Sequence, residues 1–195
     1  MPNRNNRYKA LAIGVSTGGV SALKRVLGSL PADFPIPILI VTHMMPASDD
    51  GLAVLLNTLC AIRVKEADDH DVLAPGTVYI APANYHLLVE RDGTLALSID
   101  APVNFARPSI DVLFESASDV FGPGLIAVIL TGAGDDGSKG LVKVQDCGGL
   151  VVVQDPADAE MDSMPRCAMH LLDADHVVPL VDLPPLLLKL VEEKP

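Results

Sequence analysis

The feature that most limits the fold is a set of short, continuous apolar runs separated by helix-length segments. "KALAIGVS", "IPILIVTH", "GLIAVIL" and "GGLVVVQD" are too short for most helices and lack polar alternation. A strand buried on both faces reads this way. Between them, "GGVSALKRVLGSL" places Val20, Leu23, Val26, Leu27 and Leu30 at helical spacing. "SDDGLAVLLNTLC" predicts a helix with Ser48 or Asp49 at its N-cap, and "SIDVLFESASDVF" one capped by Ser109. "SKGLVKVQDC", "MPRCAMHLL" and "LPPLLLKLVEE" read as three further helices, with "HVVPL" a last short strand. The alternation predicts an α/β fold: a doubly wound, mostly parallel sheet in a three-layer α/β/α sandwich. The middle departs from it. "VLAPGTVYIAPANYHLLVERDGTLALSID" carries short alternating runs, and Asp92-Gly93 marks a tight hairpin. This stretch reads as a β excursion.

Tryptophan is absent and aromatics make up 4%, so the core must be built from Val, Leu, Ile and Ala, within a hydrophobic content of 49%. A length of 195 residues fits a single domain over 1–195, with residues 1–8 a flexible lead-in. The net charge of −11, with no basic stripe, argues against nucleic acid and anionic lipid as partners. No run approaches the ~18 apolar residues of a membrane span. Cys60, Cys147 and Cys167 show no metal-ligand spacing. They read as small buried hydrophobes, reduced in a cytoplasmic compartment, and no metal site is expected.

In open parallel sheets, ligands bind outside the carboxyl ends of the strands. One strand ends at Ser16-Thr17-Gly18-Gly19, the next at Thr42-His43, another at Thr131-Gly132-Ala133-Gly134-Asp135-Asp136-Gly137. Serine, histidine and aspartate at neighbouring strand ends could act as nucleophile, base and orienting acid, with glycine-loop amides facing an oxyanion. Each also has a plainer reading. "GVSTG" by itself fits a phosphate or other anion cradle, a structural bend or a nucleophile turn. His43 could be an ordinary strand-end histidine, and Asp135-Asp136 a helix N-cap. The order serine, acid, histidine of the α/β-hydrolases fits poorly, because one strand alone precedes Ser16. The preferred order is Ser16, His43 and an aspartate.

Several stretches together point further. "AIGVSTGGVSAL", "VTHM", "LAPGTVYIAPANYHLLVE", "ARPSIDVLFESAS", "VILTGAGDDGSKGL" and "VVVQDPADAEMDSMPRCAM" occur in order across Leu11 to Leu180. They resemble the catalytic domain of the chemotaxis-type protein-glutamate methylesterases (CheB-type). The resemblance implies hydrolysis of glutamyl methyl esters on receptor signalling helices, deamidation of receptor glutamines by some members, and no cofactor. It implies Ser16 as nucleophile, His43 as base and Asp136 as acid, with Asp135 at the variable position. Thr17 and Ala133 become candidate oxyanion positions. Arg107 and His86 match recurrent family positions near the cleft. Two departures stand out. Ala133 replaces the methionine usual in the loop. The family usually carries an N-terminal receiver domain, so a receiver domain in cis or in trans is the second partner implied. The competing functions are a catalytically silent relative that binds a signalling partner, and a nucleotide-binding domain.

Overall fold

The apolar runs occupy the middle of one sheet. The structure, a computed structural model, describes residues 6–43 and 51–193. The strands are β1 (Ala10–Val15), β2 (Ile38–Thr42), β3 (Arg63–Glu66), β4 (Thr77–Ile80), β5 (His86–Val89), β6 (Leu95–Ser98), β7 (Leu125–Ile129), β8 (Leu150–Gln154) and β9 (His176–Val178). Seven form a sheet in the order β3-β4-β2-β1-β7-β8-β9, with every neighbouring pair parallel. β5 and β6 form a separate antiparallel hairpin.

Side chains alternate between the two faces of each strand. Leu11, Ile13 and Val15 of β1, with Ile38 and Ile40 of β2, face one core. Helices α1 (Gly19–Leu27), α2 (Gly51–Leu59) and α6 (Leu183–Glu192) cover it. Ala10, Ala12, Leu39 and Val41 face the opposite core. The hairpin and helices α3 (Ile110–Phe121), α4 (Ser138–Asp146) and α5 (Ser163–Leu171) cover that one. Each fully buried Leu, Ile or Val contributes roughly 1.5–3 kcal/mol by leaving water. A three-layer sandwich with two cores results.

The middle segment departs from the β-excursion reading. β4 belongs to the main sheet, and β3 is an edge strand that sequence periodicity missed. β3 reads Arg-Val-Lys-Glu, and its charged residues suit an exposed edge. The hairpin alone is the excursion. The lead-in is also shorter than expected, because Tyr8 is 1% exposed and packs in the first core. Val20 of the expected helix stripe is exposed, and Gly19 is buried in its place. The three cysteines are unpaired and half-buried rather than buried. The expected Ser48 or Asp49 cap lies outside the described residues. Among the described residues, no helix is long and apolar enough to cross a membrane.

The chain winds from β1 to β2 on one side and later places β7 on the other. The strand order therefore reverses at β1, and a crevice opens at the carboxyl ends of β2, β1 and β7.

Candidate active site

Ser16 and His43 come together through strand register. β1 and β2 pair as far as Val15 with Thr42, so Ser16 and His43 are the next residues on adjacent strands. The His43 amide still donates to the Val15 carbonyl at 3.3 Å. On the other side, the Ser16 amide donates to the Thr131 carbonyl at 3.0 Å. Ser16 is half-buried and stands immediately before the turn into α1. Gly18 makes that turn at φ 81, a conformation that favours glycine. A Cβ there would also lie 2.8 Å from Oε2 of Glu160. A carboxylate so close to the turn opposes the phosphate-cradle reading.

His43 is held by Asp136, with Nε2 and Oδ2 2.8 Å apart. Asp136 is almost fully buried, whereas Asp135 is exposed. Flanking glycines turn the two aspartates apart: Gly134 has φ 91 and Gly137 φ 93. Asp136 does not cap α4, where Gly137 holds the N-cap position. Instead its carboxylate sits at the start of α3. Oδ2 accepts from the Ile110 amide at 2.7 Å, and Oδ1 from the Asp111 amide at 3.2 Å. These amides have no partner within the helix, and a helix N-terminus favours negative charge. Ser109 occupies the α3 N-cap position, but its hydroxyl donates to Asp136 Oδ1 at 2.8 Å rather than capping the helix. Asn104 completes the set, donating to the same oxygen at 3.0 Å and to Asp111 Oδ2 at 2.7 Å.

Burial pushes the Asp136 carboxyl up. The bonds from His43, the Ile110 amide, Asn104 and Ser109 outweigh that and hold it at about 2, against an ordinary 3.8. Asp111 behaves oppositely: burial raises it, the Gly140 amide opposes, and the Asp136 charge adds to the rise. An ionised Asp136 accepts hydrogen bonds only, so His43 Nε2 carries the hydrogen and Nδ1 is the nitrogen left as acceptor. This orientation is the reverse of the serine-protease arrangement, where Nδ1 faces the carboxylate.

A stability prediction follows from Asp136. Its folded-state pKa is depressed, so its contribution is complete above about pH 5 and is lost as pH falls through 3.8 towards about 2. The loss is on the order of 2 kcal/mol. Urea denaturation between pH 5 and pH 2 measures it. Asp136→Asn should flatten that part of the profile.

The remaining expected residues fall into place unevenly. The Gly132 amide donates to the Met161 carbonyl at 2.9 Å, and the Gly134 amide to Ser163 Oγ at 3.1 Å. Both amides are thus already occupied and unavailable to an oxyanion, and Ala133 lies between them, exposed in the cleft beside Gly134 and Asp135. Thr17 is exposed and its carbonyl accepts from Thr131 Oγ1 at 2.9 Å, which ties the turn to the end of β7. Arg107 lines the cleft, but Nη1 donates to the carbonyls of Ile99 and Asp100 at 2.8 and 3.0 Å. Its role there is to brace a loop. His86 does not reach the cleft. It is 2% exposed, with Nδ1 accepting from the Ser109 amide and Nε2 facing the Ala101 carbonyl, each at 3.2 Å. It supports Asp136 through Ser109. Phe in place of His86 would leave the Ser109 amide unpaired in the interior. His86→Phe is expected to lower stability by about 1–3 kcal/mol in urea titrations. His86→Asn, which keeps an acceptor, should lose less.

Sequence reasoning gave no role to Asn104, Thr131 or Gln154. Gln154 Oε1 accepts from the Thr131 amide at 2.8 Å and fixes the end of β7. Its signal was a polar residue closing an apolar strand.

His43, Asn104, Phe105, Ala133, Asp135 and Asp136 line one cleft of about 510 Å³. No cluster of metal-ligating side chains occurs among the described residues.

Comparison with known proteins extends this. A family model described as CheB methylesterase matches residues 11–187. A relative from Leptospira interrogans is 50% identical over 183 residues, covering 94% of this chain and 95% of its own. Its provisional name is protein-glutamate methylesterase/protein-glutamine glutaminase. A Burkholderia lata protein-glutamate methylesterase/protein-glutamine glutaminase 3 is 45% identical over 178 residues, or 90% of this chain and 49% of that protein. The chain thus spans nearly all of the first relative and about half of the second. The crystal structure of the Thermotoga maritima CheB methylesterase catalytic domain matches with a TM-score of 0.90 and 37% identity. That match covers 94% of this chain and 99% of the other.

Proposed function

The chain belongs to the CheB methylesterase family, and from that premise we propose that it hydrolyses glutamyl methyl esters on chemoreceptor signalling helices through Ser16, His43 and Asp136. The observation that carries the proposal is the 2.8 Å bond from His43 to the buried Asp136, beside Ser16 on the neighbouring strand.

His43 Nδ1 takes the Ser16 hydroxyl proton as Oγ attacks the ester carbonyl. Asp136 holds the ring and stabilises the imidazolium that forms. The carbonyl oxygen gains negative charge, and the Thr17 and Ala133 amides are the donors proposed to meet it. Removing such a donor typically costs about 10²–10³-fold in turnover. The tetrahedral adduct collapses, the carbon–methoxy bond breaks, and His43 returns its proton so that methanol leaves. Water then attacks the acyl-serine with His43 as base again, releasing glutamate. A receptor glutamine follows the same course and releases ammonia.

The name of the Burkholderia lata relative, which pairs both activities, supports the two substrates. That relative is about twice as long as the matched region, which leaves room for a regulatory domain there. A receiver domain, in cis or in trans, is the regulator proposed for this chain. The cytoplasmic ends of receptors are where such substrates stand.

The test is to incubate the chain with a methylated cytoplasmic receptor fragment and follow each methyl-glutamate by mass spectrometry. Conversion to glutamate is expected. A fully methylated fragment after prolonged incubation would overturn the reading.

A further inference from the structure

Building on the esterase reading, we infer that Phe105 is a specificity-determining residue that packs against the apolar side of the helix presenting the methyl ester.

Phe105 stands out from the other phenylalanines. The residue is 106% exposed, while Phe34 and Phe114 are fully buried. A phenyl ring wholly in water contributes nothing to the chain's own core. It lines the same cleft as His43 and Asp136.

Its backbone is also unusual. Asn104 and Phe105 have φ of 50 and 62, two successive non-glycine residues in the left-handed region. Such a conformation persists only where its surroundings impose it, and functional sites are where it concentrates. Here the surroundings do impose it. Val103 and Ala106 exchange amide bonds at 3.1 and 2.8 Å across the tip. The Asn104 amide group reaches both Asp111 and Asp136. Arg107 and His86 bind the carbonyls of residues 99 to 101 at the loop's base. The tip is rigid, and one of its ties is the carboxylate that orients His43. The backbone that carries the ring is therefore held at a fixed offset from the reacting histidine. Pre-organised contacts of this kind cost little ordering entropy on binding.

Charge explains why an apolar anchor is needed. The chain carries a net charge of −11, and Asp135 is an exposed carboxylate in the cleft. A helix bearing glutamates gains little electrostatically here, since the cleft's Arg107 is committed to the Ile99 and Asp100 carbonyls. Methylation neutralises a glutamate and exposes a methyl group, so affinity has to come from apolar contact. A ring at the mouth of the cleft favours the methylated helix over its demethylated product.

Steady-state methanol release from a methylated cytoplasmic receptor fragment tests this. Phe105→Ala is expected to raise KM about tenfold or more, with kcat within about threefold of wild type. Phe105→Leu should recover most of the loss. An unchanged melting temperature shows that Phe105→Ala still folds. Wild-type methanol release in the same assay tests the esterase reading by itself. Fragment binding to Ser16→Ala, with and without Phe105→Ala, reads the contact independently of turnover. A KM and a binding constant both within twofold of the parent would overturn the inference.

Discussion

Asp136→Asn is expected to lower ester turnover by about 10⁴-fold, the loss the same change produces in a serine-protease triad. Asp135→Asn is expected to stay within about twofold. The difference comes from what each carboxylate meets. Asp136 faces donors alone: His43, Asn104, the Ser109 hydroxyl and the amides of Ile110 and Asp111. An asparagine must turn its NH₂ group towards one set of them. With NH₂ in the place of Oδ2, His43 Nε2 becomes the acceptor and Nδ1 carries the hydrogen, so the base is lost. The Ile110 amide is left unpaired as well. With NH₂ in the place of Oδ1, three donors lose their acceptor. In both cases folding stability falls by about 1–3 kcal/mol. Asp135 is exposed and loses only a solvated charge. Parallel kinetics and urea melts on the two variants measure this. Equal activity losses would assign the acid wrongly.

The buried strands were legible because a strand covered on both faces has no polar side to break its apolar run. β1, β2, β7 and β8 all read this way. β3 did not, since four edge residues with three charges carry no such pattern. The candidate site was partly legible for a related reason: ligand-facing residues follow directly after those strands. Ser16 and His43 each end a run. The choice between Asp135 and Asp136 was not legible from the residues, because it depends on the left-handed turns at Gly134 and Gly137. It came from the family resemblance. The supports around Asp136 were hidden by distance. Asn104 and Ser109 meet it from 32 and 27 residues away in sequence. No local period records such contacts. Ser109 shows the point well: its position at the start of α3 was readable, but its hydroxyl's partner was not.

Ser16→Ala carries the other large effect, an expected fall of about 10⁴-fold or more in turnover. In the proposed mechanism, attack by Ser16 Oγ is the step that creates the acyl-enzyme, and alanine removes that oxygen. The fold should not change. The hydrogen bonds that seat Ser16 are backbone ones: its amide to the Thr131 carbonyl, and its carbonyl from the Gly19 amide. Alanine keeps both. The side chain is half-buried, so losing a hydroxyl leaves no large cavity. Urea midpoints of the two proteins should therefore agree while their activities differ.

Side-by-side methanol release from a methylated receptor fragment, by wild type and by Ser16→Ala, is the most direct measurement. The account predicts release by the wild type and none above background by the folded variant. Equal release by both proteins would contradict it, because the ester would then be cleaved without the serine on which the mechanism depends.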